Sequence, residues 1–150
     1  MPDAFDRLVA DLKRLNGSAR LGALDDVNAQ KLAFAEFGTA TAPMRPTLSA
    51  TFDQTKGAMQ RSIDRRVAAV LDGKSHASGR AIVSAVAEEE ADLVREAING
   101  DTPPALAAST LAARRRRGNG STRSLVDTGQ MLASIAVESK DDVKPWQDGE

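Results

Sequence analysis

The sequence predicts an α+β fold in which a long antiparallel helical hairpin packs on a small, mainly antiparallel β-sheet. Alanine is abundant, aromatic residues make up 3% of the chain and tyrosine is absent, a composition that favours helices packed through small side chains. Two long consecutive segments, Leu48 to Leu71 and Gly79 or Ser78 to Ile98, carry apolar residues at helical spacing. Because only a short loop separates them, they most simply form an antiparallel hairpin.

The expected core follows from the apolar stripes of these two helices. Residues on one stripe recur every three or four positions and share a helix face, which must be covered to be stable in water. In the first helix the stripe is Leu48, Phe52, Met59, Ile63, Val67, Val70 and Leu71, and in the second it is Ile82, Val86, Leu93 and Ala97.

Local signals predict the shorter elements. Each prediction rests on apolar periodicity together with a capping or turn residue at the segment ends. The predicted elements are a helix over 4–15 with Phe5, Leu8, Val9, Leu12 and Leu15 on one face, a strand from Ser18 to Leu24, a helix from Ala29 to Phe37 capped by Asn28, a helix from Ala105 to Arg116, a helical turn capped by Asp127 or Thr128 and ending near Ser134, and a strand from Ile135 to Ser139.

The length of 150 residues predicts one domain, divided into an N-terminal helix (1–17), a core (18–139) and a polar tail (140–150). A formal charge of −1 argues against a polycation that binds nucleic acid with its whole surface, so any electrostatic function must be local. No apolar run approaches the ~18 residues of a membrane span, and the N-terminus does not resemble a signal peptide. We therefore expect a soluble protein made in a reducing compartment.

The residue types that catalyse reactions or bind metals are sparse. The chain has no cysteine, and its single histidine, His76, lies in a polar loop and cannot form a metal site alone. The acidic triplet Glu88-Glu89-Glu90 is interpreted as a solvated face, since three adjacent residues point in three directions around a helix. The candidate acids Asp127, Glu36 and Glu88 have no histidine or phosphate-binding glycine motif nearby. We expect no enzyme activity, no metal and no cofactor.

The stretch from Glu36 to Pro46 is the stiffest loop in the sequence. Gly38 permits a positive φ, while Pro43 and Pro46 fix their own φ and push the preceding residues into extended conformations. Arg45, held between the two prolines, would lose little freedom on pairing with a carboxylate. The simpler interpretation is a surface loop between two elements.

Arginines cluster after the predicted helix that ends near residue 116. The run Arg114-Arg115-Arg116-Arg117 is followed by Arg123. A basic helix C-terminus complements the helix dipole, which is the structural interpretation. The functional interpretation is contact with DNA phosphates or an acidic partner, and the sequence supports the two equally. Because no aromatic residues alternate with the arginines, sequence-specific recognition of bases is not expected.

Two further residues are candidates for partner contacts. Asp127 is a natural carboxylate partner for a fixed arginine such as Arg45 or Arg123. Trp146 follows a proline in the charged tail, where it is either a disordered residue or an anchor on a partner.

The order of these motifs resembles the neck and tail-completion proteins of tailed bacteriophages. The resemblance spans about residues 20 to 139. It rests on Ala35-Glu36-Phe37-Gly38-Thr39, Pro43-Met44-Arg45-Pro46, the two long helices, the arginine-rich loop and the segment Leu125-Val126-Asp127-Thr128-Gly129-Gln130-Met131-Leu132-Ala133-Ser134-Ile135.

The resemblance implies a ring-forming structural subunit of the virion, present in the host cytoplasm before assembly. Copies would join side by side in a ring of six, or alternatively twelve, between the portal or connector and the tail tube or tail terminator. Genomic DNA would pass through the lumen, near Arg114, Arg115, Arg116, Arg117 and Arg123. The subunit and partner contacts expected on this basis are Glu36, Phe37, Gly38, Arg45, Pro46, Asp127, Thr128, Gly129, Gln130 and Trp146.

The competing hypothesis is a small helical nucleic-acid-binding or regulatory protein that acts through the same arginine cluster. It predicts binding that weakens steeply with salt. An enzyme is the third and least favoured hypothesis, because no catalytic group can be assigned.

Overall fold

The computed structural model describes residues 3–127 and 129–140, which form six helices and two strands. The elements in chain order are α1 (Ala4–Arg14), β1 (Ser18–Ala23), α2 (Asp26–Phe37), α3 (Leu48–Leu71), α4 (Gly79–Asn99), α5 (Ala108–Arg116), α6 (Gln130–Ser134) and β2 (Ile135–Lys140). The two strands pair in an antiparallel two-stranded sheet. The predicted α+β fold is confirmed.

The element boundaries differ from the predictions where a different residue caps the helix. Asp25, not Asn28, caps α2: its carboxylate accepts from the Asn28 backbone N–H at 2.9 Å, so the helix begins three residues early. The N-cap of α6 is Gly129, in a left-handed conformation, and not Asp127. Thr128, the alternative cap, lies outside the described residues, as does Trp146.

The sequence predicts one domain, and the contacts of the chain fall into two compact units. Among the described residues, unit 1 comprises 3–20, 56–89 and 137–140. Its core is small and aliphatic, since its buried apolar side chains are Val70, Ile82 and Val86. Ion pairs join Arg66 to Glu89 and Arg20 to Glu138, the latter across the two strands.

Unit 2 comprises 21–55, 90–127 and 129–136. Its buried apolar residues come from α2, α4 and the start of β2: they are Leu32, Ala91, Val94, Ile98 and Ile135. Arg95 in α4 ties the beginning of β2 to this core by donating to the Ile135 carbonyl at 2.7 Å. Helices α2 and α6 contact each other within this unit.

Several residues of the predicted stripes are not buried. Phe52 and Leu71 of α3 and Leu93 of α4 are each more than 40% exposed. The acidic triplet of α4 is divided: Glu88 and Glu89 are exposed as expected, whereas Glu90 is 4% exposed and accepts from the Thr55 hydroxyl at 2.7 Å. Interpreting the whole triplet as a solvated face was wrong for Glu90, because its position on α4 turns it toward α3.

Two glycines bring the chain after α1 against the first turn of α4. A Cβ atom added to Gly17 would lie 2.7 Å from the Arg80 Cα, and one added to Gly79 would lie 2.7 Å from the Asn16 carbonyl carbon. No side chain fits at either position. Arg14 also donates to the His76 carbonyl. The C-terminal end of α1 is therefore held by backbone contact, although none of Ala4–Arg14 is buried.

We predict that Gly79→Ala destabilises the protein by about 2 kcal/mol, because the added methyl group overpacks the crossing. Gly57→Ala is the matched control. Its Cβ would meet only the Arg61 Nη1 at 3.5 Å, so the higher helix propensity of alanine should stabilise α3 by about 0.5–1 kcal/mol. Urea unfolding followed by circular dichroism measures the free energy of unfolding of both variants. Equal changes in the two variants would contradict the close approach of the two backbones at Gly17 and Gly79.

Candidate functional site

The carboxylate of Glu36, near the end of α2, closes the loop that leads into α3. Its Oε1 accepts from the backbone N–H groups of Thr47 at 2.5 Å and Leu48 at 2.6 Å. Its Oε2 accepts from the Ser49 hydroxyl at 2.8 Å and the Ser49 N–H at 3.3 Å. Three backbone donors at the start of a helix are thereby satisfied by one side chain from another helix. We call this arrangement the Glu36 cap.

The charge of Glu36 is stabilised although the residue is only 8% exposed. Burial raises the pKa of the carboxyl, but hydrogen bonds from the Thr47 N–H, the Ser49 hydroxyl and the Leu48 and Ser49 N–H groups lower it by more. The net result is a pKa below the ordinary value. Glu36 is therefore a buried anion at neutral pH, next to the positive end of the α3 dipole.

The loop between Gly38 and Pro46, which follows Glu36 in the chain, folds back on itself. Gly38 has φ of +71°, and a Cβ there would lie 3.0 Å from the Met44 side chain. The Thr39 hydroxyl accepts from the Ala42 N–H at 3.0 Å, and the Arg45 N–H donates to the Ala35 carbonyl at 2.7 Å. The loop is thus internally hydrogen-bonded, which agrees with the stiffness expected from its sequence.

The guanidinium of Arg45 is directed into its own chain. Its Nε donates to the Pro104 carbonyl at 2.9 Å and its Nη2 to the Ala105 carbonyl at 3.4 Å. These contacts join the proline-containing loop to the elbow that precedes α5. Arg45 therefore fixes the relative position of two loops within unit 2, a contact that the sequence did not indicate.

Arg114 is the centre of a second polar cluster, and it is only 6% exposed. Its Nη1 donates to the carbonyls of Arg123 at 2.8 Å, Ser121 at 3.2 Å and Val126 at 3.3 Å. Its Nε lies 3.3 Å from the Asp127 Oδ1. One buried cation therefore organises the segment between α5 and α6, and it does not point into solvent as a contact for DNA would.

Asp127 is also bonded to residues just before it in the chain. Arg117 reaches its Oδ2 at 3.3 Å, and the Asn119 amide donates to its Oδ1 and its carbonyl at 2.6 Å each. The partners named from the sequence, Arg45 and Arg123, are not the ones it has. The turn at 118–120 folds the arginine run back onto Asp127, so Arg114 and Arg117 bind it although Arg123 is nearer in the chain.

The other arginines of the predicted cluster are exposed. Arg117 pairs with Asp127, and Arg123 donates to the Asn99 side chain. Within residues 3–127 and 129–140, Arg115 and Arg116 form no side-chain hydrogen bond or ion pair, so they are the members of the cluster whose guanidinium groups are available to a partner.

The two sequence motifs meet in unit 2. A cavity of about 270 Å³ has Lys31 and Ala35 from α2 on one side, and Arg114 and the segment around Asp127 on the other. Gly129 and Gln130, named from the sequence as contacts, also line it. Ala35, the first residue of the Ala35-to-Thr39 motif, thus lies beside the Leu125-to-Ile135 motif, although about 90 residues separate them in the chain, and no residue from 36 to 46 lines this cavity.

The phenylalanines, the largest apolar side chains within residues 3–127 and 129–140, lie on the surface. All four phenylalanines, Phe5, Phe34, Phe37 and Phe52, are between 50% and 78% exposed. Met44, in the stiff loop, is 56% exposed. Phe37, named from the sequence as an expected partner contact, is the most exposed of the four because the chain turns away at Gly38.

Two adjoining cavities in unit 2 form what we call the apolar groove. The first, of about 290 Å³, is lined by Leu21, Phe52, Glu90 and Val94, and the second, of about 400 Å³, by residues of β1 and α2 that include Ala33 and Phe37. Leu48 and Ser49 line both cavities and so separate them. Sequence reasoning missed this groove, because the periodicity of Leu48 and Phe52 is the same for a buried stripe and for an open one.

Across the described residues, no group of three or more histidines, cysteines or acids is arranged to hold a metal ion, and none of their helices is long and apolar enough to cross a membrane. A comparison with protein-family models found no match, and comparisons with curated proteins and with solved structures found none either.

We predict that Glu36→Gln destabilises the protein by about 1–3 kcal/mol, because a neutral amide replaces the charged acceptor of the cap. The pKa of Glu36 is lowered by folding, so its contribution is complete above the ordinary value of 4.5 and is lost as the pH falls through the lower folded value. Unfolding measured from pH 7 to pH 2 should show this loss in the native protein and not in the variant. The exposed Glu88→Gln serves as the control, with an expected change within about 0.5 kcal/mol.

Proposed function

We propose that the chain is a structural subunit of a tailed bacteriophage, forming a ring in the neck that joins the portal or connector to the tail and lets DNA pass. In this proposal the chain performs no reaction. Its function is to present stiff, complementary surfaces to neighbouring copies and to the rings above and below. The order of sequence motifs is one support for the proposal, and the distribution of apolar side chains is the other.

The exposure of all four phenylalanines is the observation that carries the proposal. Each phenylalanine side chain leaves on the order of 100 Å² of apolar surface in water. At about 25 cal/mol per Å², covering one such side chain stabilises an assembly by about 2.5 kcal/mol. A chain that places Val70, Val94 and Ile98 in its core and every phenylalanine outside has surface suited to association.

The stiffness of the Glu36-to-Pro46 loop supports the same function. Phe37 and Met44 project from a segment that the Glu36 cap and Arg45 already hold in place. An exposed anchor on an ordered loop loses little conformational entropy when it binds, so more of the burial energy appears as affinity. A ring built from many copies of a weak contact benefits from such preorganisation at every interface.

We predict that Phe37→Ser lowers the mass of the assembled protein without changing its fold, because the side chain is 78% exposed in the isolated chain and buries its ring only in the assembly. Light scattering over a range of concentrations should show that the native chain forms a closed oligomer. The concentration at which the variant assembles should be at least tenfold higher. Thr41→Ser, an exposed polar change in the same loop, is the control. A native chain that stays monomeric at all concentrations and in the presence of connector rings would refute the proposal.

A second candidate function, nucleic-acid binding, is favoured by Arg115 and Arg116. Their side chains are exposed and have no partner among the described residues, and they follow a buried arginine that fixes the end of α5. Such a pair suits contact with phosphates without reading bases. In the ring proposal the same residues would face passing DNA.

We predict that the double substitution Arg115→Ala/Arg116→Ala weakens binding to duplex DNA at low salt. The plot of the logarithm of the binding constant against log[salt] should become less steep by about 2, the value for two lost phosphate contacts. Filter binding between low and physiological salt measures it. Arg61→Ala/Arg65→Ala, two exposed arginines on α3, is the matched control. If both double variants lose binding equally, or if the native chain does not bind, the cluster has no specific role in contacting DNA.

A further inference from the structure

We infer that α1 of one copy lies in the apolar groove of the next copy, and that this head-to-tail contact repeats around the ring. The inference rests on the proposed function, because it names which surfaces build the oligomer. It concerns two surfaces: the exposed part of the apolar face of α1, formed by Phe5, Leu8 and Leu12, and the apolar groove defined above.

Helix α1 is capped at both ends although none of its residues is fully buried. Asp3 and Asp6 form a reciprocal capping box at its N-terminus, and the Leu15 N–H closes its C-terminus. Phe5, Leu8 and Leu12 are nevertheless 69%, 44% and 54% exposed. A helix with one apolar stripe and a polar opposite face normally covers that stripe against a core. In α1, Phe5, Leu8 and Leu12 of this stripe are exposed, whereas Val9 and Leu15 are partly buried.

The glycine crossing explains how α1 is held while its apolar face stays open. Gly17 and Gly79 fix the segment directly after the helix to the start of α4, and Arg14 adds its bond to the His76 carbonyl. These contacts are all at the C-terminal end. The first two turns, which carry the exposed Phe5 and Leu8, are ordered in advance by the capping box.

The groove has the dimensions and the lining that such a stripe requires. Its two cavities, of about 290 and 400 Å³, adjoin at Leu48 and Ser49. Side chains three or four residues apart on a helix are separated by about 5–6 Å, so one large apolar residue of α1 can enter each cavity. Phe52 and Phe37, both exposed, would become walls of the contact.

Charge also favours this occupant. The groove is lined by two buried acids, Glu90 in the first cavity and Glu36 in the second. The last turn of α1 is basic, with Lys13 and Arg14. A basic helix end placed beside an acidic groove gains favourable electrostatic energy, and it also fixes which way the helix runs in the groove.

A ring needs two different surfaces on each subunit, because heterologous contacts repeat where isologous ones close as a dimer. The α1 face and the groove satisfy this requirement, since the residues that form them do not overlap. The same chain thus supplies both the apolar helix and the place that receives it, which is why we identify the occupant as a second copy and not a foreign peptide.

Cysteine cross-linking tests the inference, since the chain has no native cysteine. The test variant is Leu12→Cys/Phe52→Cys, treated at assembling concentration with a short thiol-specific cross-linker. A denaturing gel should show a ladder of dimers, trimers and larger species up to the closed ring. Mixing the two single variants should give dimers alone. The control is Ala10→Cys/Phe52→Cys, because residue 10 lies on the opposite face of α1 from Leu8 and Leu12, and its yield should be at least tenfold lower.

The outcomes separate this inference from the proposed function. A product cross-linked within a single chain would overturn the inference, because the face would then be covered by its own groove. A double variant that is oligomeric by light scattering but forms no ladder would also overturn it, and the ring would be built by another surface. A chain that is monomeric under every condition would count against the proposed function itself.

A second variant guards against an uninformative cysteine position. Leu8→Ser/Leu12→Ser should leave the circular dichroism spectrum unchanged, because no side chain of α1 is buried, and should raise the concentration needed for assembly by at least tenfold. Assembly at the native concentration would contradict a role for the α1 face.

Discussion

The carboxylate of Glu36 at the start of α3 is the interaction on which unit 2 depends. One side chain near the end of α2 satisfies the backbone donors of Thr47, Leu48 and Ser49, which open the longest helix of the protein. Hydrogen bonds hold both ends of the loop between the two helices. Gly38 donates to the Phe34 carbonyl at one end, and Arg45 donates to the Ala35 and Pro104 carbonyls at the other. A side chain without oxygen atoms at position 36 would leave the first turn of α3 without these acceptors.

Polar clusters replace part of the apolar core in unit 2. Arg114 gathers three carbonyls and Asp127 around a buried guanidinium, much as Glu36 gathers backbone donors around a buried carboxylate. Clusters of this kind fix loops in one conformation, since a buried charge with an unmade bond is costly. With the loops held by these polar clusters, the phenylalanines lie outside the core. The result is a chain with ordered loops and large apolar side chains at its surface, which is a suitable design for a subunit that assembles.

The sequence predicted the backbone of this fold better than its packing. Helix α3 begins and ends where the apolar stripe of Leu48 to Leu71 does, because period and turn residues act locally. The partners of Asp127 could not be derived, since they depend on how a glycine turn folds the arginine run back. Burial was the least predictable property. The stripe of α1 has the pattern of a core-facing helix, and Glu90 has the same neighbours in sequence as the exposed Glu88, so only the tertiary contacts distinguish them.

The central claim is that neighbouring copies cover the phenylalanines that the single chain leaves in water. Hydroxyl-radical footprinting of the four rings, compared between dilute protein and concentrated, assembled protein, tests it most directly. The account predicts that Phe5, Phe37 and Phe52 become several-fold less reactive on assembly while the circular dichroism spectrum stays the same. Equal reactivity of all four rings in both samples would contradict it.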